Sequence, residues 1–183
     1  MGTHRSSSSS ASSRVIGVHS LPTAVISLIQ EQAEQRGLGR DPLPEVTHAL
    51  RTDVVAGSGR WFGRGRARRI ATELLLTPDV LVIADRDPDR EGLDRDVQIT
   101  FHRLHQLEVT AAGGAEPGLG LLGTPVGSTE RSSRVVPTDG GPEMRRFHQA
   151  LVEAAERSHH VDVLATRLRS GAESDRSLSP ELS

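Results

Sequence analysis

A chain of 183 residues with 35% apolar side chains has room for one ordinary core and flexible ends. Its net charge of −2 gives no global attraction to nucleic acid or an anionic membrane, so electrostatic binding has to come from a local patch. The absence of cysteine excludes a disulfide framework, a thiolate zinc site and a cysteine nucleophile. All 22 basic residues are Arg, and Lys, Asn and Tyr are absent, a bias expected of a GC-rich, bacterial genome; arginine abundance alone is therefore weak grounds for a ligand. There is no apolar run of about 18 residues, so no membrane-spanning helix is expected. The N-terminal "MGTHRSSSSSASS" lacks the apolar centre of a signal peptide, which points to a cytoplasmic location, although Met1, Gly2 and Ser6 meet the loose myristoylation pattern.

In chain order, residues 1–20 read as a disordered, serine-rich tail with too little apolar surface to offset the entropy of ordering. Residues 21–37 read as an amphipathic helix, with Val25, Ile26, Ile29 and Ala33 on one face and Gly37 as a C-terminal stop. The period then changes to two. Val46, His48, Leu50, Thr52 and Val54 share one face of a strand, and further strands are expected at about 70–77 and 79–84, joined by the tight turn "TPD". Separate strands around 97–101 and 107–109, divided by a break near Leu104, and two weaker ones in "GLGLLGTPVG" and "ERSSRVVPT" bring the count to seven. Pro142 to Ser158 carries Met144, Phe147, Leu151, Ala154 and Ala155 at helical spacing, with Glu143 suited to a first turn. Residues 170–183 read as a second disordered tail. The fold class expected is mostly β with flanking helices: a seven-stranded antiparallel barrel capped by a C-terminal helix that plugs its open end.

"ELLLTPDVLVI" (Glu73 to Ile83), "ITFHRLHQLEV" (Ile99 to Val109) and "GSTERSSRVVPTDGGPEMRRFHQAL" (Gly127 to Leu151) together resemble the bacterial pleckstrin-homology-like (PH-like) and GRAM-type domains. The likeness spans residues 44–158 and implies a non-catalytic binding module. The pattern departs at Asp79 and Val80, where that family has an arginine, and in the additional helix at residues 21–37.

Two segments carry candidate chemistry. "GSGRWFGRGRARR" places Arg60, Arg64, Arg66, Arg68 and Arg69 around Trp61 and Phe62, in the loop after the first predicted strand and the start of the next. In lipid-binding PH relatives that loop carries basic-x-basic pairs, which Arg66 and Arg68 resemble. Alternate residues of a strand point the same way, so their guanidinium forks could converge on one phosphate while the aromatics enter a membrane interface. The bland reading is a solvated basic edge with both aromatics packed inward. Few aromatics remain for base stacking, which argues against nucleic acid.

The second segment, "VLVIADRDPDREG", resembles the metal-binding acid run of Toprim domains through Asp85, Asp87, Asp89 and Glu91. That family is a parallel α/β fold, and no crossover helix precedes this run. It also approximates a calcium loop ending at Asp96, but Arg90 stands where the turn needs glycine. A charged loop is the simpler account. His102 and His105, three apart on an extended chain, face opposite ways, and no nucleophile elbow is present. The expectation is therefore a protein that is not an enzyme, holds no metal or cofactor and engages a protein or peptide partner. The alternatives are an anionic membrane surface bound through Arg60 to Arg69, and a Toprim-like nucleic-acid enzyme.

Overall fold

The computed structural model describes residues 10–56, 68–90, 97–112 and 117–176. Among these, seven strands pair antiparallel in chain order: β1 (Ser10–Val15), β2 (His48–Ala56), β3 (Arg68–Leu76), β4 (Val80–Arg86), β5 (Gln98–Ala112), β6 (Gly118–Pro125) and β7 (Ser132–Pro137). The sheet is strongly curled, a half-barrel, with α1 (Thr23–Gln35) on one face and α2 (Pro142–Arg176) on the other. The α2 face is the concave one, because that helix touches β1, β2 and β5, strands far apart in the sheet order.

Alternation along the central strands divides the core in two. Leu50, Leu74, Leu76, Leu81 and Ile83 point into the concave side and meet Met144, Phe147, Leu151 and Ala154 of α2. Ala49, Leu75, Val80, Val82, Ala84 and Phe101 point to the convex side and meet Val25, Ile29 and Ala33 of α1. Helices on both faces explain why "ELLL" and "VLVIA" are continuous apolar runs rather than alternating ones. The end of α1 follows the expected stop. Gly37 takes φ +68°, its N–H bonds the carbonyl of Glu34, and Leu38 N–H bonds that of Ala33, the two-bond left-handed termination that glycine permits.

Three sequence expectations are corrected. The tail predicted at residues 1–20 contains β1 and a helical turn at Val18–Ser20, and the strand at the sheet's other side of β2 raises the count by one. The strands expected at 97–101 and 107–109 are one strand, β5, with a register shift between His102 and Leu107. That irregularity lets Leu104 and Leu107, three apart, face the same core, which a regular strand forbids. Seven strands are thus predicted and seven observed, but the set differs. Third, α2 does not stop at Ser158. It continues through the start of the tail predicted at 170–183, to Arg176, for a length of about 50 Å. From Ser158 to Ser170 there is no glycine or proline, so nothing in that stretch breaks the helix.

The outer edge of β1 is not left bare. Ser13 N–H donates to Asp139 Oδ2 at 3.0 Å and Val15 N–H to Glu143 Oε2 at 2.8 Å, so carboxylates from the β7–α2 corner take the place of a neighbouring strand. Burial raises the Asp139 carboxyl, but hydrogen bonds from Gly141 and Ser13 outweigh it and hold its pKa below the ordinary 3.8. Its stabilising contribution is therefore complete above 3.8 and is lost as pH falls through the lowered value. Replacing Asp139 and Glu143 with Ala together is expected to cost about 1 to 2 kcal/mol. Hydrogen exchange should show Ser13 and Val15 losing protection while amides of β3 and β4 keep theirs; unchanged exchange at Ser13 and Val15 would show that the carboxylates do not hold the edge.

Candidate functional site

Of the predicted basic patch, Arg60, Trp61, Phe62, Arg64 and Arg66 lie outside the described residues. Arg68 opens β3 opposite Ala56, and Arg69, half exposed, stands 3.8 Å from Asp89 Oδ1. The strand register explains the meeting: the β2–β3 and β4–β5 connections leave the same end of the sheet. Arg69 therefore has Asp89 as its neighbour, which lowers the positive potential it could offer an anionic surface.

The described acids of this run do not form a set. Glu91, Asp94 and Asp96 lie outside the described residues. Asp87 Oδ1 accepts the N–H of Asp89 at 3.1 Å, a local turn bond. Asp85 faces the concave side, where Thr72 Oγ1 donates to it at 2.7 Å and Arg134 grips it with both Nη atoms at 2.6 Å. Arg134 sits on β7, three strands away from β4, so this bidentate pair fastens the curl across the trough. Both Asp85 oxygens are occupied, and the sheet is antiparallel throughout, not the parallel sheet that the Toprim resemblance requires. Among the described residues no three His, Asp or Glu side chains gather as metal ligands would. His102 is buried on the same face; burial, then the nearby Arg134 charge, lower its pKa, and its Nδ1 has no partner. His105 is only half-buried.

The convex side holds a second polar row. Arg14, Arg51 and Glu73 are cross-strand neighbours on β1, β2 and β3. Glu73 is fully buried and its Oε1 accepts from Arg86 Nε at 2.9 Å. Arg51 clasps Asp53 through Nε and Nη2.

No family model, curated protein or solved structure matches the chain. A groove of about 450 Å³ lies between α2 and the β3–β4 turn. Leu76, Pro78, Ala150 and Ala154 supply its apolar surface, and Thr47, His48, Arg146, Gln149, Glu153 and Arg157 its polar walls. Gln149 donates to Glu153 at 3.0 Å, whereas exposed Arg146 and Arg157 have no ion pair or hydrogen bond with a described residue. Arg146, Ala150, Ala154 and Arg157 follow at helical spacing, so α2 sets half-buried Ala150 and nearly buried Ala154 between two cations. The predicted helix contained this signal, since both arginines border the apolar stripe of residues 142–158. What it could not show is that the β3–β4 turn stands opposite.

Proposed function

We propose that this chain is a non-catalytic binding module whose groove between α2 and the β3–β4 turn takes an acidic segment of a protein partner. The observation that carries the reading is that Arg146 and Arg157, with no ion pair among the described residues, flank the apolar surface of Ala150, Ala154, Leu76 and Pro78. Cations held around a small apolar surface favour a segment that alternates acids with aliphatic side chains, by charge complementarity and burial together. The pattern likeness of residues 44–158 to PH-like domains, which bind rather than catalyse, supports the same reading. Asp85, the best-placed candidate acid, is committed to Arg134 and Thr72. No helix among the described residues is long and apolar enough to cross a membrane.

Fluorescence anisotropy with a labelled peptide of alternating Glu and Leu, and with its Lys-for-Glu counterpart, tests this. The acidic peptide is expected to bind in a salt-sensitive way and the basic one not to bind. Reversing both cations (Arg146→Glu with Arg157→Glu) should weaken the acidic peptide by about tenfold or more. Equal binding of the two peptides, or indifference to the double reversal, rules the groove out. Anionic vesicles that shift the fluorescence of Trp61 while the peptides do nothing would move the partner to the Arg60–Arg69 loop and a membrane surface.

A further inference from the structure

A separate cavity of about 330 Å³ lies on the convex face, where the chain turns from β1 into the helical turn at Val18–Ser20. Its walls include Arg14, Arg51 and Glu73 together with Val15, Ile16 and Leu21. Glu73 is the unusual member. Its side chain has no exposure, Oε1 is taken by Arg86, and Oε2 is buried with no hydrogen-bond partner. A buried carboxylate oxygen without a donor is costly, so such an atom beside a cavity calls for a donor from outside the chain.

The other polar groups limit what that donor can belong to. Arg51 uses Nε and Nη2 on Asp53, which leaves Nη1, 3.9 Å from Glu73 Oε1, available to an acceptor. Among the described residues Arg14 approaches only Asp53, at 4.0 Å, and it is mostly exposed at the cavity's rim. A cation entering here meets Arg14 and Arg51, with Arg86 already on Glu73. An anion meets the Glu73 carboxyl. A neutral group with a donor and an acceptor on one carbon satisfies both sides without adding charge, and a cavity of this volume is in the range of small-ligand sites.

We propose that this cavity binds a primary carboxamide, whose NH2 donates to Glu73 Oε2 and whose carbonyl accepts from Arg51 Nη1. This site is independent of the α2 groove. Its carboxamide could belong to a free small molecule or to the Asn or Gln side chain of a partner, and the two sources share the recognition chemistry.

Amide NMR of the full chain titrated with benzamide, benzoate and benzamidine reads the preference, because the three probes share a shape and differ in charge. Benzamide is expected to shift the amides of Val15, Ile16 and Leu21 and to bind at least about tenfold tighter than either ion, since each ion leaves a buried polar group mismatched. Glu73→Gln keeps an oxygen for Arg86 and puts an NH2 where Oε2 stood, so its preference should pass from benzamide to benzoate. N-acetylglutamine methylamide separates the sources: tighter binding than benzamide indicates a partner's side chain, weaker binding a free molecule. A preference for either ion, equal binding of all three, or no shift at those amides overturns the proposal, the last leaving Oε2 to a bound water. So does an unchanged preference in a folded Glu73→Gln chain, and the wild-type titrations stand even if that variant fails to fold.

Discussion

Arg86→Ala is expected to lower the unfolding free energy by about 3 kcal/mol at neutral pH, because it strips the hydrogen-bonded cation from a carboxylate with no exposure. The loss should depend on pH with a definite sign. Burial raises the Glu73 pKa above 4.5, opposed by the hydrogen bond and charge of Arg86 and by Arg51. Between 4.5 and that raised value the native carboxyl holds its proton more tightly than the unfolded one, so stability is complete below 4.5 and falls as pH rises through the window. Removing Arg86 raises the native value further and widens the window. Urea denaturation of wild type and variant should therefore show a small difference near pH ~4.5 and the full one near pH ~8. A difference that is the same at both ends would mean that Arg86 acts through packing and not through the charge on Glu73.

The second large effect is expected at the helix in the trough. Leu151→Ala should destabilise by about 3 kcal/mol, since Leu151 has no exposure and packs in the concave cluster with Phe147 and Met144, where a lost isobutyl group leaves a cavity that the curled sheet cannot collapse to fill. Val161→Ala, on the same helix but 66% exposed, should change stability by no more than about 0.5 kcal/mol. Denaturant midpoints at unchanged slope read both. A cost at Leu151 below about 1 kcal/mol would mean that α2 is not what closes the concave core.

The amino-acid sequence alone determined the elements whose signal is local. The face of Val25, Ile29 and Ala33 and the stop at Gly37 define α1 because helix period and glycine's access to positive φ act within a few residues. The "TPD" turn, the apolar runs on either side of it and the stripe from Met144 to Ala155 were legible for the same reason. So was the β-rich class with a helix against the sheet.

The tertiary structure decided what depends on partners distant in the chain. β1 is a run of serine, alanine and arginine with almost no apolar alternation; it is a strand because β2 offers an edge and Asp139 and Glu143 accept its outer N–H groups. Asp85 lies in a run that looks like a metal site, yet Arg134, 49 residues later, claims it across the curl. Arg14, Arg51, Glu73 and Arg86 are scattered charges in sequence and become one row, running from exposed Arg14 to buried Glu73 and Arg86, only through strand register. Register, curl and the choice of ion-pair partner are settled by which surfaces must be buried together, and that information is spread over the whole chain rather than held in any one segment.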